Sequence, residues 1–196
     1  MDILEKLRAE TRGEHDKLEA IGLSDKIMDK TLSLEEYKKL IRVHFMVHQA
    51  LEEQLEANGV EELFPALDYE QRRKMPLLEQ DIGELGIARE PLSRQEPAGQ
   101  LPQLNKPFGL LGCMYVLEGA TLGGMVIVKA LKKNEHLSSL ENFHYFGCYG
   151  GETGPQWKRF LEVLKDEGAH SEAQEPIVEA ARQTYQYFGA NFKKFL

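Results

Sequence analysis

The sequence predicts an all-α protein that forms a single domain over residues 1–196. Nearly every segment repeats apolar residues at three- and four-residue steps, which is the period of an amphipathic helix. No run of alternating β-branched residues bounded by turn signals stands out, so nothing predicts a strand. A chain of 196 residues already buries enough apolar surface in one core to be stable, and a second domain is not required.

Composition and charge narrow the classes of function. Hydrophobic residues make up 42% of the chain and charged residues 29%, which is typical of a soluble globular protein. The formal net charge of −8 argues against broad nucleic-acid binding, which needs a basic face. Cys113 and Cys148 form no CxxC pair and are too few for a disulfide framework, so we expect a cytoplasmic protein with reduced thiols.

No targeting or membrane segment is predicted. The N-terminus lacks the apolar core of a signal peptide. The run over residues 108–128 is long enough to cross a bilayer, but Glu118 lies at its middle and five glycines interrupt it. We therefore predict that the protein does not insert into a membrane.

The first predicted helix has an apolar stripe that includes a histidine. The stripe consists of Ile3, Leu4, Leu7, Thr11, His15 and Leu18. Side chains at this spacing share one helix face, so we expect His15 to face inward. Ser33 and Glu36 then form a capping-box signature, which predicts a long second helix that ends near Ala57, before Asn58-Gly59.

A third helix is predicted from about Tyr69 to Leu85, with Pro76 as a kink or break inside it. Residues 86–107 follow with four prolines and little periodicity, which indicates a loop. The loop is too short to imply a domain boundary, so it does not divide the chain.

The second half of the chain predicts three helices. Residues 108–133 have helical period despite glycines at 109, 112, 119, 123 and 124. Each glycine costs a helix about 1 kcal/mol relative to alanine, so a structural or functional compensation is expected. Residues 144–155 form a glycine-rich connector, Pro155 suits the first position of the next helix, and Ser171 is expected to open the last one.

His15 is the first candidate for chemistry. A histidine on an inner stripe is more often a hydrogen-bonded core residue than a ligand. Glu19 lies one turn later, where its carboxylate can orient the ring in the way that a carboxylate orients a metal-bound histidine. A surface contact between the two residues would look the same in the sequence, so both interpretations stay open at this point.

The stretch LEGATLGG, residues 117–124, is the second candidate. Gly119, Gly123 and Gly124 are expected on adjacent turns of one helix face. Without side chains there, the helix can bend and its backbone can approach a flat ligand closely. Tight packing against a neighbouring helix would explain the same glycines.

Taken together, the two stretches resemble the heme oxygenases. In "LRAETRGEHDKLE" the matching residues are Leu7, Arg8, Thr11, His15 and Glu19. In "YVLEGATLGG" they are Tyr115, Glu118, Gly119, Gly123 and Gly124. The bacterial members look most similar, because they share "YVxEG" before the bend, a similar length and a Trp-Phe helix after a glycine-rich connector, here "GETGPQWKRF". The resemblance covers residues 2 to about 195 in helix order, and its specific part is confined to the two motifs.

The resemblance implies a helical bundle in which heme lies between a proximal helix and a glycine-kinked distal helix. His15 would ligate the heme iron, with Glu19 as the partner of its ring. The catalytic positions implied are Gly119, Ala120 and Gly123, with Gly124 also lining the distal heme face. In animal-type enzymes an aspartate follows the first glycine of the bend; because this chain has Ala120 there, backbone groups and water would act instead.

The implied reaction uses heme as both cofactor and substrate, together with molecular oxygen. The ring would be opened to biliverdin with release of carbon monoxide and ferrous iron. A separate electron donor such as a ferredoxin or a flavin reductase is implied, because the chain contains no GxGxxG fingerprint for a nucleotide. We expect the protein to be a monomer.

The heme propionates would need cations at the mouth of the pocket. Arg8 lies two helical turns before His15 on nearly the same face and is the first candidate, and Tyr115 is assigned to the same pocket by the resemblance. Lys158 and Arg159 are the next candidates, with no basis for a choice between them. Each of the three cations would otherwise be a solvated surface charge.

Other patterns have weaker functional interpretations. His44 and His48 lie four residues apart on the inner face of the second helix and are interpreted as core or pocket-wall residues. Glu141-x-x-His144 and Glu167-x-x-His170 resemble the ligand pairs of di-iron bundles, but both lie in predicted loops. Cys113 and Cys148 are expected to be inert thiols.

Two rival functions remain on sequence grounds. A heme or bilin carrier of the same fold would bind heme through His15 and leave it intact. A helical interaction protein would bind no heme at all. The pairing of His15 with the glycine-rich stretch argues against the second rival, whereas no sequence feature separates an enzyme from a carrier.

Overall fold

The structure is a computed structural model that describes residues 2–89 and 96–196, and all of its regular elements in those ranges are helical. The α-helices are α1 (Ile3–Ile21), α2 (Ser24–Met28), α3 (Leu34–Ala57), α4 (Val60–Leu63), α5 (Met75–Glu84), α6 (Phe108–Gly119), α7 (Gly124–Leu131), α8 (Thr153–Gly168) and α9 (Gln174–Phe195). Short 3₁₀ turns connect several of them, including one at Ala120–Gly123. The all-α prediction is confirmed. Part of the predicted loop, residues 90–95, lies outside the described residues.

The long helices α1 and α3 begin at capping boxes. The Asp2 carboxylate accepts the backbone N–H of Glu5, whose side chain returns to the backbone of Asp2. Ser33 and Glu36 form the same reciprocal pair at the start of α3, as the sequence predicted, and α3 ends at Ala57. Each box satisfies backbone donors that the first turn of a helix leaves unpaired.

The predicted third helix is divided in two. Tyr69–Arg72 forms a 3₁₀ turn, and α5 starts only at Met75, with Pro76 as its second residue. A proline lacks the N–H that a helix interior needs, but the first turn needs no such donor, so Pro76 marks a start and not a kink. The short helix α2 was not predicted.

The last two helices begin away from their predicted starts. Helix α8 begins at Thr153, so Pro155 is its third residue and not its first. Helix α9 begins at Gln174, after Ala173, and Ser171 lies in the preceding turn. Neither start has a side-chain cap, which removes the signal that sequence analysis relies on.

Helices α6 and α9 pack closely at the centre of the core. A Cβ at Gly112 would lie 2.0 Å from the carbonyl oxygen of Ile177, so only glycine allows the two backbones to approach this far. At the edge of this pair, α1 packs against α9, and the buried residues of α1 are Ile3, Leu4, Leu7 and Thr11. Helix α9 thereby holds both α1 and α6, the helices that carry the two candidate motifs.

Candidate functional site

A cavity of about 450 Å³ lies between α1 on one side and the end of α6, the Ala120–Gly123 turn and α7 on the other. Side chains of α3, of the connector and of α9 close its inner end. A volume of this size is typical of sites that bind small molecules and cofactors. Both motifs singled out in the sequence contribute to its walls.

The α1 wall of the cavity extends from Arg8 to Gly22, with His15 midway between them. At 1.5 Å per residue, this stretch of helix is ~21 Å long. The His15 side chain lines the cavity but is 50% exposed, whereas Leu7 and Thr11 on the same stripe are fully buried. His15 therefore points toward the cavity, as expected, but it is not buried, because the cavity is open to solvent at this point.

Two carboxylates flank the His15 ring. Its Nδ1 lies 3.5 Å from an oxygen of Asp16 and 3.8 Å from an oxygen of Glu19. Glu19 was the predicted partner; Asp16, which sequence analysis missed, is slightly nearer. On the other side the ring meets the edge of Tyr185 at a centroid distance of 6.0 Å. The ring is thus placed between solvent-exposed acids and an aromatic side chain of α9.

The opposite wall includes a stretch without large side chains, at Gly119, Ala120 and Gly123. Helix α6 ends at Gly119, and residues Ala120–Gly123 form a 3₁₀ turn before α7 begins. The Thr121 hydroxyl donates to the carbonyl of Glu118 at 2.7 Å, which competes with the helical hydrogen bonds at the bend. A Cβ at Gly119 would meet Trp157 at 3.8 Å, and one at Gly123 would meet Ile127 at 3.6 Å. Both positions therefore face open space in the cavity, as does their neighbour Ala120.

Gly124 does not share that face, and the prediction that it lines the same wall is wrong. A Cβ at Gly124 would lie 2.2 Å from the carbonyl oxygen of Phe146, in the connector. Consecutive residues of a helix point about 100° apart, so the two adjacent glycines meet different neighbours. Gly124 lets the connector pack against α7, and Gly119 and Gly123 leave room in the cavity.

A buried ion cluster holds the bend from behind. The Glu118 carboxylate accepts hydrogen bonds from Arg72 at 2.6 Å, from Lys74 at 2.8 Å and from the Tyr149 hydroxyl at 2.9 Å. The side chains of Glu118, Arg72 and Lys74 are each only 2% exposed. No local pattern predicts this cluster, because its members come from separate segments of the chain.

Phe108–Leu131 is long and apolar enough to cross a membrane by length and composition, a test that core helices of globular proteins also pass. In the structure this stretch is interrupted by the 3₁₀ turn Ala120–Gly123 between α6 and α7. Glu118, near its middle, is used in the buried cluster.

Of the residues predicted to lie near the heme propionates, some line the cavity and others do not. Arg8 and Tyr115 line the cavity, and the Tyr115 ring lies 5.7 Å from that of Trp157. Burial raises the pKa of Tyr115, and the nearby Arg8 charge partly opposes that rise. Lys158 and Arg159 are exposed on α8 and do not line the cavity.

The inner end of the cavity is aromatic, and it contains the two histidines of α3. His44 lines the cavity, and His48 is buried behind it. The Nε2 of His48 lies 3.0 Å from the Tyr145 hydroxyl. Burial, followed by the influence of His48, holds the pKa of His44 well below its usual range. The interpretation of both residues as core or pocket-wall histidines is confirmed.

The two cysteines and the two Glu-x-x-His pairs, which the sequence analysis also considered, do not form a second reactive site. Burial raises the pKa of the Cys113 thiol to about 12 and also raises that of Cys148, so both are poor nucleophiles, as expected. Within residues 2–89 and 96–196, the only cluster of three metal-binding side chains is His15, Asp16 and Glu19. The two Glu-x-x-His pairs therefore do not come together as a di-iron site.

Comparison with known proteins decides the family. The heme oxygenase family model matches residues 1–194 of the chain. The chain belongs to the heme oxygenase family. A curated heme oxygenase of Xanthomonas campestris is 28% identical over 152 residues, which is 78% of this chain and 86% of the relative.

Solved heme oxygenases have the same fold. The enzyme of Leptospira interrogans has a TM-score of 0.77 with 16% identity, over 99% of this chain and all of the other. The heme oxygenase of the cyanobacterium Synechocystis, solved in complex with heme, has a TM-score of 0.74 with 15% identity, over 99% of this chain and 92% of that one. The predicted helical bundle of the heme oxygenase type is confirmed.

Proposed function

We propose that the cavity binds heme between α1 and the bend, with His15 as the ligand of the iron. The family to which the chain belongs consists of enzymes that open heme to biliverdin with release of carbon monoxide and iron. The observation that carries the assignment of residues is that His15 and the glycines at 119 and 123 line one cavity from opposite helices. Bound heme would supply both the iron and the ring that is opened, with molecular oxygen as co-substrate.

The residues present fit a flat macrocycle. Gly119 and Gly123 leave a cradle that a single Cβ at either position would begin to fill. The walls around the cradle are mostly aromatic and aliphatic, so they can bury the apolar faces of a porphyrin. The imidazole of His15, on the opposite wall, is a usual axial ligand of heme iron.

Each wall then has a separate task. His15 would hold the iron, and Asp16 and Glu19 would favour a ring orientation with Nδ1 toward them, leaving Nε2 for the metal. Arg8 and Tyr115, at one end of the cavity, would hold a propionate, Arg8 by its charge and Tyr115 by a hydrogen bond. At the bend, Gly119, Ala120 and Gly123 place no acid–base side chain in the cavity, so backbone groups would face the bound macrocycle there.

The source of electrons lies outside this chain in our proposal. We propose a separate donor such as a ferredoxin or a flavin reductase, supported by the lack of a GxGxxG fingerprint in the sequence. The monomeric state and the cytoplasmic location stay predictions from the sequence.

The test is addition of hemin, followed by ascorbate in air, to the wild type and to His15→Ala. We expect the wild type to lose its Soret band as a biliverdin band grows, and His15→Ala to bind hemin without an axial imidazole and without turnover. Added imidazole should restore the ligand spectrum of His15→Ala. His136→Ala, at an exposed histidine that does not line the cavity, is the matched control. An intact heme spectrum in reduced, aerated wild type would indicate a carrier instead.

A further inference from the structure

The inner end of the cavity combines aromatic walls with one unpaired imidazole. His44 is surrounded by the rings of Tyr145, Phe146, Phe188 and Phe192, with centroid distances of 4.6 to 6.1 Å. Its Nδ1 is buried and has no hydrogen-bond partner. The residue is only partly buried and lines the cavity. Because Nδ1 is the buried nitrogen, we place Nε2 on the side of the ring that faces the cavity.

The proton of the neutral ring belongs on Nε2. A buried N–H without an acceptor is rarer and more costly in proteins than a buried lone pair without a donor. Since Nδ1 has no acceptor near it, the tautomer with the proton on Nε2 avoids that cost. His44 therefore presents a hydrogen-bond donor to whatever occupies the inner end of the cavity.

The neighbouring donors are already in use. The three protons of Lys74, which also lines the cavity, are directed to the Arg72 carbonyl, the Glu118 carboxylate and the Tyr149 hydroxyl. Lys74 has no further N–H to offer.

The Tyr145 hydroxyl is hydrogen-bonded to His48. The Glu52 carboxylate accepts the backbone N–H groups of Lys74 and Met75 and lies 3.6 Å from Nδ1 of His48. The Tyr145 hydroxyl lies 3.0 Å from Nε2 of His48, so these two groups are hydrogen-bonded to each other. His44, by contrast, has no hydrogen bond from its ring to any described residue, although it lines the cavity.

Opening of the porphyrin changes what the inner end must accommodate. A closed macrocycle presents C–H, methyl and vinyl groups along its buried edge, and these need no donor. A linear tetrapyrrole has a terminal lactam oxygen on each end ring, and a buried lactam oxygen without a donor is costly. At the open side, beside His15 and Leu122, water can solvate such an oxygen; at the inner end it cannot.

We infer that His44 is a product-binding residue, whose Nε2–H donates to a terminal lactam oxygen of the ring-opened tetrapyrrole at the inner end of the cavity. This inference rests on the proposed function, since it requires the same cavity to hold heme first. It assigns His44 a contact with the product and none with the iron.

The test compares hemin and biliverdin binding by quenching of Trp157, which is the single tryptophan of the chain and lines the cavity. His44→Phe keeps the aromatic packing and removes the donor. We expect it to weaken biliverdin binding about three- to tenfold and to leave hemin binding within about twofold. His44→Gln, which places an amide N–H near the position of Nε2, should recover most of the loss. His136→Phe serves as the matched control.

Infrared difference spectra provide a second readout. The lactam carbonyl band of bound biliverdin should move to higher wavenumber in His44→Phe and return in His44→Gln, which a purely structural role for His44 would not produce. Equal weakening of hemin and biliverdin, an unchanged carbonyl band, or wild type that binds hemin but not biliverdin would overturn the inference. Wild type that binds no hemin would instead overturn the proposed function.

Discussion

His15 and the two acids beside it, on the α1 wall of the cavity, have side chains that are half or more exposed, whereas the wall at the bend includes accessible backbone held from behind by buried charges. His15, Asp16 and Glu19 are 50%, 62% and 64% exposed at their side chains. Glu118, which anchors the bend, is 2% exposed. The comparison indicates that the α1 wall can be altered at little cost in stability, while the wall at the bend depends on packing.

The largest expected effect is at the buried anchor. Glu118→Ala would leave Arg72 and Lys74 as buried cations without their carboxylate, and we expect a loss of about 3–5 kcal/mol in the free energy of unfolding. Urea denaturation measures this loss. Glu118→Gln, which keeps the shape and some hydrogen bonding, should cost less. A loss below about 1 kcal/mol for Glu118→Ala would show that the bend does not need this anchor.

The next largest effect on stability is expected at Gly124, and its neighbour Gly123 should behave differently. Gly124→Ala would place a methyl group 2.2 Å from the Phe146 carbonyl oxygen, so the connector must move. We expect a loss of about 1–3 kcal/mol in the free energy of unfolding, toward the upper end because the neighbour is backbone. A thermal or urea unfolding curve indistinguishable from that of the wild type would contradict this packing.

Gly123→Ala should behave in the opposite way. Its added Cβ meets only Ile127 at 3.6 Å, and the residue has φ −78°, which alanine adopts readily. The free energy of unfolding should change by less than about 1 kcal/mol. Hemin affinity should nevertheless fall about tenfold, because the added methyl group enters the cavity. Spectroscopic titration with hemin measures the affinity, and Gly13→Ala, on the exposed side of α1, is the control. Equal hemin affinity would place the macrocycle elsewhere.

The smallest effects are expected on the α1 wall, at the two acids beside His15. Asp16→Asn and Glu19→Gln should each leave stability within about 0.5 kcal/mol, because exposed ion pairs contribute little. Each should change hemin affinity by no more than about twofold. If Asp16→Asn has the larger effect on the ligand spectrum, the nearer carboxylate is the partner of the ring; a larger effect of Glu19→Gln would favour the residue predicted from the sequence.

Local signals explain what sequence analysis predicted well. The caps of α3, the helical stripe through His15 and the bend at Gly119–Gly123 depend on residues within a few positions of one another, so their pattern survives in one dimension. Predicted helix starts at Pro155 and Ser171 were wrong because α8 and α9 have no capping side chain to mark them.

The sequence alone determined the all-helical architecture, the family motifs and the pairing of His15 with a glycine-rich bend. Tertiary structure decided which glycines face the cavity, that Asp16 lies nearest to His15, and that Arg8 and not Lys158 or Arg159 lines the cavity. It also brought Glu118 to Arg72 and Lys74 and left the buried Nδ1 of His44 without a hydrogen-bond partner. These features depend on contacts between residues tens of positions apart, and hydrophobic periodicity places a residue on a helix face without specifying which distant side chain that face will meet.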